Sequence, residues 1–359
     1  MASLESEWLD LEARSNNYFF LSWTWVQAWL ETYEPTVDVL KVIHQDRIVG
    51  MVLIAKGEEV RFGVLNSNAI YFQQTGVPTE DQIWIEYNSI LVDETHHTGA
   101  IEATCQFLVQ YYKGWDELIL GAVTESEATL IEDACGLSRH DLWEAPTYGV
   151  DLAAIRESGQ DYLSTLSRNT RYQIRRAIKR YTESGEIKLV SAPSVEAAIS
   201  CFDEIGPLHI ARWGAEPDQS GYANSRFVDF HKKLIEIAWP KGQIDVTKIA
   251  VDGKPIGYFY NFIYRGRVYF YLSGLVVESD NTLKPGLLGH ALCIQNYIKK
   301  GYDFYDFMGG GERYKASMAT EQQKLFKISL QKKMLKFEIE KLGRRLKHKV
   351  LGNAEKARL

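Results

Sequence analysis

The chain has 359 residues, enough for about two domains of ordinary size, and its 45% hydrophobic and 25% charged residues are the balance of a globular protein. The sequence holds no run of roughly 18 apolar residues and no basic-then-apolar leader, so it predicts neither a membrane-spanning helix nor a signal peptide. Its four cysteines form no CxxC pair and no zinc spacing. We therefore expect reduced thiols, no metal and a cytoplasmic location.

The net charge of −6 conceals two halves of opposite sign. Residues 1–150 carry 24 acidic and 7 basic side chains, whereas residues 151–359 carry 23 acidic and 34 basic ones. Two interpretations stay open at this point. Either the charges are those of a solvated surface or of two halves that attract each other, or the second half handles an anionic ligand.

The first half begins with a predicted amphipathic helix over residues 20–29. Residues 39–56 have the pattern of two strands joined by a tight turn. Residues 100–121 predict a helix followed by a short buried strand. Gly114 stands at the joint between them, where a helix end favours a left-handed residue.

The second half repeats this pattern. Residues 245–264 again predict a hairpin, with Asp252-Gly253 as its turn. Residues 287–309 again predict a helix and a buried strand, with Gly301 at the joint. Each half thus has a helix, a hairpin, a further strand, a helix and a strand.

A helix that connects two strands of one sheet usually makes a right-handed parallel crossover. We therefore predict a duplicated α/β fold, with a mixed sheet and helices on both of its faces. Pro146 and Gly149 are expected to precede the boundary, which gives domains over 1–155 and 156–340 and a basic tail over 341–359.

The C-terminal run of roughly 321–349 is predicted to be helical. Between Lys332 and Lys349 it holds eight Lys or Arg against two Glu. Such a segment could meet an anionic membrane, an RNA or the acidic first half of its own chain.

A second basic segment, Arg168–Arg180, holds six basic residues and no acidic one. Arg168, Arg171 and Arg175 fall on one stripe at helical spacing, and arginines in a row can clamp phosphate or carboxylate groups. We name these three as candidate substrate-binding residues. A helix with a solvated basic face is the alternative.

The segment that follows the strand near residue 270 is a candidate donor site. Lys284-Pro285-Gly286 falls where a helix begins, and proline suits a first helical turn. The first N–H groups of a helix have no internal partners and attract phosphate, and Lys284 adds a positive charge there. The alternative is an ordinary strand–loop–helix joint.

Three consecutive glycines, Gly309–Gly311, end the last buried strand of the second half. Glycine runs are entropically costly and suit places where the backbone passes close to something bulky. Glu312, Arg313, Tyr314 and Lys315 follow at once. A base, two cations and a phenol at the C-terminal end of a strand indicate a ligand site, with a solvated turn as the alternative.

Four stretches together resemble a known family. They are 20–29 (FLSWTWVQAW), 166–176 (LSRNTRYQIRR), 284–288 (KPGLL) and 306–310 (DFMGG) with Tyr314 and Lys315 after it. Over about 20–340 the chain resembles the GNAT superfamily, in the branch of the CelD-like acetyltransferases, which is related to the Fem-type aminoacyl transferases. The resemblance implies tandem GNAT-like acyl-CoA N-acyltransferase domains.

The resemblance also implies a donor, acetyl-CoA or another acyl-CoA, with its pantetheine along the splayed fourth strand and its pyrophosphate on the following helix. The residues that match these elements are Gly274, Leu275, Val276, Val277, Lys284, Pro285, Gly286, Leu287, Leu288 and Gly289. The usual superfamily loop reads Arg/Gln-x-x-Gly-x-Gly/Ala. With Gly286 as its first glycine, this chain has Leu283 and Leu288 at the ends, and Fem-type enzymes, which take aminoacyl-tRNA, share such a degenerate loop.

Acyl transfer needs alignment, a base and stabilisation of the oxyanion. The candidate bases are Glu278, Asp306 and Glu312. Tyr314 could protonate the leaving group, and Lys315 could hold negative charge. The backbone N–H groups of 275–277 are expected to serve the oxyanion.

Three functions are open from the sequence. The first is transfer of an acyl group, in the first place acetyl, to an amine or hydroxyl of a small-molecule or saccharide acceptor. The second is a Fem-like transferase that uses aminoacyl-tRNA, the one case in which we expect a nucleic-acid partner. The third is a non-catalytic GNAT-fold module, whose basic C-terminal helix contacts a membrane. The first half is expected to be a degenerate copy that shapes the acceptor cleft.

Overall fold

The computed structural model describes residues 2–61, 65–216 and 218–343. The predicted basic tail from residue 344 onward, and with it the predicted membrane contact, lies outside these residues. The helices are α1 (Ala2–Glu12), α2 (Trp23–Tyr33), α3 (His97–Gln110), α4 (Glu125–Cys135), α5 (Leu152–Ser158), α6 (Tyr162–Thr165), α7 (Arg168–Thr182), α8 (Val195–Trp213), α9 (Ser225–Ala238), α10 (Pro285–Lys300) and α11 (Arg313–Met318). A further helix, here called the C-terminal helix, begins at Leu335 and is described as far as residue 343. None of the described helices has the length and hydropathy that crossing a bilayer requires.

The strands form one mixed sheet. They are β1 (Val37–His44), β2 (Arg47–Arg61), β3 (Leu65–Phe72), β4 (Leu91–Val92), β5 (Glu117–Thr124), β6 (Ser138–Asp151), β7 (Ile187–Ser191), β8 (Ile244–Val251), β9 (Lys254–Tyr264), β10 (Arg267–Leu275), β11 (Phe304–Gly309) and β12 (Glu321–Gln331). Their order is β1-β2-β3-β5-β12-β6-β11-β10-β9-β8-β7, with β4 paired to β2.

The predicted hairpins and crossovers are confirmed in both halves. β1 and β2, like β8 and β9, form antiparallel hairpins. A helix then connects parallel neighbours: α3 leads from β3 to β5, and α10 leads from β10 to β11. Gly301 (φ 85°) ends α10 in the left-handed conformation, whereas α3 ends at Gln110 and Gly114 (φ 82°) lies in the loop before β5.

Helices cover both faces of the sheet. Successive side chains of a strand point to opposite faces, so a strand that is apolar throughout contributes to a core on each side. On β9, Tyr260 and Phe262 face a core formed with α1, α2, α8 and α9. Phe259 faces the opposite core, formed with α5, α6, α7 and α10. In the first half, α3 and α4 cover the face of the sheet opposite to α1 and α2.

Each half gives its last strand to the other half. β6 ends the first half and pairs with β11 of the second, whereas β12 ends the second half and pairs with β5 of the first. β6 and β12 also pair with each other in antiparallel fashion. The strand order is therefore symmetric about the β12–β6 pair, apart from β4 and β7. The division of the chain near residue 155 stays a prediction, and the sheet continues across it.

The predicted helical run over 321–349 is wrong at its start, because Glu321–Gln331 form β12. Leu325, Ile328 and Leu330 are fully buried in this strand. The lysines and glutamines elsewhere in this segment favour a helix locally, but β5 and β6 supply hydrogen-bond partners on both sides. Tertiary pairing therefore overrides the local preference.

Pro146 and Gly149, which were expected to precede the boundary, both lie inside β6, which ends at Asp151. Pro146 offers its carbonyl oxygen to the N–H of Gly310 at 2.9 Å. The ring of Phe304 lies against Gly149 and leaves no room for a β-carbon. Glycine at this position thus serves close packing between neighbouring strands.

Ion pairs connect the acidic first half with the C-terminal helix. Lys336 pairs with Asp116 at 2.6 Å, and Arg61 pairs with Glu340 at 3.2 Å. Phe337 is buried beneath the same helix. Part of the charge asymmetry between the halves is thus neutralised inside the protein.

Candidate active site

β10 and β11 lie side by side only at their beginnings. Arg267–Tyr269 pair with Phe304–Asp306, and beyond these residues the strands separate. β10 bulges at the same place, with Tyr271 as the extra residue relative to β9. The separation opens a V-shaped gap at the C-terminal ends of these strands, where α/β sheets commonly bind ligands.

The equivalent gap in the first half holds a side chain. β3 and β5 pair over Ala69–Tyr71 and Glu117–Ile119 and then separate. Gln74 lies in the gap against Gly121, where a β-carbon would come within 2.5 Å of the Gln74 Oε1 atom. Gln74 therefore occupies part of this gap, and Gln74 and Gly121 both line the cavity described next.

A cavity of about 920 Å³ lies between the two halves. The second half lines it with the strand ends 270–273 and 307–309 and with the end of α8. The first half lines it mainly with the loop after β3, residues 76–86. Neither half alone forms the walls of this cleft.

Glu86 comes from the first half and reaches the end of β11. Both of its carboxylate oxygens lie 3.0 Å from the backbone N–H of Gly309, which donates to them. Burial, followed by the negative charge of Asp306, raises the pKa of Glu86 from 4.5 to about 8, although the Gly309 hydrogen bond and Lys315 act in the opposite direction. A carboxyl group in a cleft with a pKa near neutrality is suited to general-base catalysis.

The residue after Glu86 is anchored to the sheet. The hydroxyl of Tyr87, a residue with a φ of 54°, donates to Asp306 at 2.6 Å. Asp306 also accepts hydrogen bonds from Arg267 at 2.9 Å and from the Met308 N–H at 2.8 Å. Asp306, one of the predicted bases, is only 1% exposed. Its contacts hold Tyr87 and the bulge of β11 in place.

The consecutive glycines leave room for charged side chains. A β-carbon would come within 3.0 Å of Glu86 at Gly309 and within 2.7 Å of the Lys315 Nζ atom at Gly310. Lys315 is 5% exposed; it donates to the Gly309 carbonyl at 2.7 Å and pairs with Glu312 at 3.2 Å. The loop therefore gathers two carboxylates and an ammonium group at one point of the cleft.

Tyr314 lines the cleft and connects this loop with α10. Its ring stacks on His290 of α10, with centroids 5.1 Å apart. Burial, and then Glu312, raises the pKa of Tyr314, so the phenol keeps its proton at neutral pH. Burial lowers the pKa of His290 to about 3, and this neutral ring lies 3.0 Å from the hydroxyl of Tyr305.

The end of α8 forms another wall of the cleft, with His209, Arg212 and Trp213. His209 Nδ1 lies 2.8 Å from the Ser220 hydroxyl. Burial, and then Arg212, lowers the pKa of His209 to about 4. A histidine with this pKa is a weak base at neutral pH, so Glu86 is the better-matched base in the cleft.

The predicted donor strand lies beside the cavity rather than in its lining. Gly274 lies against α8, where a β-carbon would be 2.8 Å from the Ile205 Cα atom. The N–H of Val276, predicted to serve the oxyanion, donates instead to the Ile256 carbonyl at 3.1 Å. Val277 is 79% exposed. The predicted oxyanion role is therefore wrong for Val276, because β9 already uses that donor.

Of the residues predicted to bind phosphate, only those in the first turn of α10 remain partly accessible. The helix begins at Pro285, and residues 284–287 are half-buried. A β-carbon at Gly286 would lie 3.1 Å from Leu275 Cδ1. Leu288 is fully buried, and Gly289 lies against the ring of Phe259. Leu288 and Gly289 thus serve the packing of α10 on the sheet.

The other predicted site residues lie on or beside α7. Glu278 accepts a hydrogen bond from the Tyr181 hydroxyl at 3.0 Å. Arg171 donates to the Ser164 carbonyl at 3.2 Å. Arg168 and Arg175 are exposed. Among the described residues that line the cleft we find Glu312, Tyr314 and Lys315 but not these four, whose predicted roles stay predictions.

Glu86 was missed at the sequence level. It belongs to the stretch Trp84-Ile-Glu-Tyr87, which matches no motif and lies far from the glycine-rich loop in sequence. A weak signal exists in hindsight, since a carboxylate between two aromatic residues in a loop is unusual. Only the shared sheet brings it to Gly309.

A parallel β10–α10–β11 crossover whose strands separate at their C-terminal ends, on a duplicated mixed sheet, is the architecture of the GNAT fold. Residues 168–316 match the family model of an acetyltransferase (GNAT) domain, so the second half of the chain carries the acyltransferase domain. A search of curated proteins gave no match. Among the described residues, no group of three or more His, Cys, Asp or Glu is placed to hold a metal ion.

Solved structures are similar over nearly the whole chain. One is FemX, at 11% identity and a TM-score of 0.59, over 94% of this chain and 98% of that one. Another is the C-terminal domain of a putative lysylphosphatidylglycerol synthetase from Agrobacterium fabrum, at 13% identity and a TM-score of 0.53, over 92% of each chain. A third is L-PGS from Bacillus licheniformis, at 12% identity and a TM-score of 0.51, over 86% of this chain and 91% of that one. At these identities the similarity establishes the fold.

Proposed function

We propose that the chain transfers an acyl group, in the first place acetyl, from acyl-CoA to an amine held in the cleft between its halves, with Glu86 as the general base. The observation that carries this proposal is the position of the Glu86 carboxylate, 3.0 Å from Gly309 at the open end of β11. The match to an acetyltransferase domain supports the reaction class. The four stretches named above support placement in the CelD-like branch.

The donor is proposed to enter through the gap between β10 and β11. The first turn of α10 is half-buried, and among the described residues no side chain caps it. Its unpaired N–H groups, with Lys284 beside them, suit the pyrophosphate of CoA. This arrangement would lay the thioester along the separated strand ends, next to Glu86 and Tyr314.

In the proposed reaction, Glu86 accepts the proton that the acceptor nitrogen gives up as it bonds to the carbonyl carbon. Tyr314 donates a proton to the sulfur as the carbon–sulfur bond breaks. Glu86 then releases its proton to solvent and Tyr314 takes one up, which restores both side chains. Lys315, held between Gly309 and Glu312, places a positive charge close to the reacting groups. The products are an amide and CoA.

Thermal-shift measurements with acetyl-CoA, longer acyl-CoAs, free CoA and tRNA test the donor. Stabilisation by the CoA species supports the proposal, because a ligand that binds only the folded state raises its melting temperature. Stabilisation by tRNA alone, or by none of these compounds, contradicts it.

Release of free CoA, measured with acetyl-CoA and a panel of amines, tests the base. Glu86→Gln is expected to lower kcat/KM by about 100-fold or more. In the parent, kcat/KM should rise with pH and level off above about 8, because Glu86 must lose its proton to act. The variant should lose that step.

The matched control for Glu86→Gln is Glu58→Gln, which changes an exposed carboxylate on β2 outside the cleft lining. It should leave both the rate and the pH profile unchanged. Equal rates for Glu86→Gln and the parent would remove Glu86 from catalysis.

A Fem-like transfer from aminoacyl-tRNA is the second candidate function. The fold similarity to FemX and the packing of Leu288 and Gly289 into the core, where a regular GNAT loop would meet pyrophosphate, favour it. The same thermal-shift panel separates the two donors.

A further inference from the structure

The mouth of the cleft carries three exposed tryptophans. Trp84 from the loop after β3, Trp143 from β6 and Trp213 from the end of α8 are 42%, 43% and 45% exposed, and all three line the cavity. Indole rings are among the groups that gain most from burial. Three of them left open around one cleft, on three separate elements, indicate a surface that a ligand covers.

Trp84 is held in place at a conformational cost. Its φ is 45°, a left-handed backbone conformation that is an outlier for a bulky residue. Its ring packs against Phe227 and Tyr271, with centroids 5.5 and 6.2 Å away. Strain of this kind persists where the surroundings enforce it, and it is found at ligand sites. The loop thus presents a fixed indole two residues before Glu86.

The polar groups beside the tryptophans narrow the ligand class. Glu59 and Asp218 supply carboxylates and Lys327 an ammonium group, and Gln219 and Ser273 supply neutral donors and acceptors. A nucleotide or another polyanion would meet carboxylates here, and a lipid chain would meet charges. A ring with hydroxyl groups matches both the polar side chains and the tryptophans of this cavity. Its hydroxyls can form hydrogen bonds with the polar groups, and its C–H face can lie on the electron-rich face of an indole.

We propose that Trp84, Trp143 and Trp213 form a platform for a sugar ring, and that the acceptor is a saccharide whose amino group reaches Glu86. This inference rests on the proposed function for the chemistry and adds the class of acceptor. Carboxylates outnumber cations in the cleft lining, five to three, which agrees with an amine-bearing acceptor.

Binding of a β-1,4-linked glucosamine trimer to the full chain, measured by calorimetry, tests the platform. Trp84→Ala, Trp143→Ala and Trp213→Ala should each raise the Kd of the trimer by about tenfold, because each removes a stacking face. Tyr111→Ala, which removes a 67% exposed aromatic ring just after α3, is the matched control and should leave the Kd unchanged. All variants should keep the acetyl-CoA shift of the parent.

Three outcomes overturn the platform. They are no binding of the trimer by the parent, an unchanged Kd in all three tryptophan variants, or binding of a lysine tripeptide in preference to the trimer. If the acetyl-CoA shift persists in those cases, the acyltransferase proposal stands and the saccharide inference falls. If the trimer binds and Glu86→Gln keeps full activity, the base assignment falls and the platform stands.

Discussion

The pKa of the Glu86 carboxyl group is set by influences that act in opposite directions. Burial and the nearby Asp306 favour the protonated form, whereas the Gly309 N–H and Lys315 favour the charged form. Burial is the largest of these influences, and the resulting pKa of about 8 leaves the group ready to exchange a proton near neutral pH. A side chain tuned in this way is costly to the folded protein once it is charged.

That cost predicts a pH-dependent stability difference. Folded Glu86 keeps its proton up to about pH 8, whereas in the unfolded chain it loses the proton near 4.5, so its contribution to stability falls as the pH rises between these values. Glu86→Gln should therefore be more stable than the parent at pH 9, by on the order of 1 kcal/mol because the carboxyl is partly screened by solvent, and similar to it at pH 5. Urea unfolding at both pH values measures this, and a pH-independent difference would contradict it.

Tyr87 is a positioning residue in the same site. Tyr87→Phe removes the hydrogen bond to Asp306 and should cost about 1 kcal/mol of stability. Freed from this anchor, Glu86 should gain solvent contact, so the pH profile of kcat/KM should shift to lower pH. Tyr111→Phe, at an exposed tyrosine just after α3, serves as the control. An unmoved pH profile in Tyr87→Phe would assign Tyr87 a structural role alone.

At the scale of elements, the glycines of the second half have different roles. Gly301 ends α10 in the left-handed conformation, and Gly309 and Gly310 make room for charged side chains in the cleft. Gly289 permits contact between α10 and the sheet at Phe259. The sequence predicts the first role from position and the second from the polar residues nearby. The sequence does not distinguish a glycine that faces a ligand from one that permits close packing, because the difference depends on which group lies opposite the glycine in the folded protein.

Two helical glycines make this distinction measurable. Gly289→Ala should destabilise the protein by about 1–3 kcal/mol, because the new methyl group collides with the Phe259 ring. Gly99→Ala in α3, where a β-carbon meets nothing within 4 Å, should stabilise it by about 0.5–1 kcal/mol. Thermal unfolding compares the two variants. Loss of acetyl-CoA binding in Gly289→Ala without loss of stability would instead place Gly289 at the donor.

At the scale of the whole molecule, the exchanged strands make each half depend on the other. β12 lies between β5 and β6, and β6 lies between β12 and β11. The hairpins and crossovers are local in sequence and were predictable from periodicity. The exchange was not predictable, since β6 and β12 have polar and proline-containing sequences whose partners are far away in the chain.

The same reason explains how much of the site was predictable. Glu312, Tyr314 and Lys315 follow a glycine run at a strand end, and this local pattern brought them to notice. Glu86 and the three tryptophans belong to no motif and join the cleft through tertiary contacts alone. The loop that follows the glycine run was thus predictable, and the parts of the site that come from more distant segments, Glu86 and the three tryptophans, were not.

Removal of β12 should unfold the protein as a whole. A chain that ends at Ala319 exposes the edges of β5 and β6, and unpaired edges favour aggregation. A chain that ends at residue 343 keeps every contact described above and should unfold in one cooperative transition, as we also expect of the full chain. Circular dichroism and size-exclusion chromatography of both proteins measure this. A soluble, folded chain without β12 would contradict the interdependence of the halves.

The symmetric strand order suggests how a duplicated fold could come to have two halves with different roles at one cleft. A polypeptide of half this length, lending its final strand to a second copy, would build the same ten central strands as a closed two-fold dimer. That dimer would have two identical pockets, and every substitution would alter both of them. Fusion into a single chain releases the copies from this constraint: here Gln74 occupies the gap of one half, while Glu86, from that same half, reaches the strand end of the other.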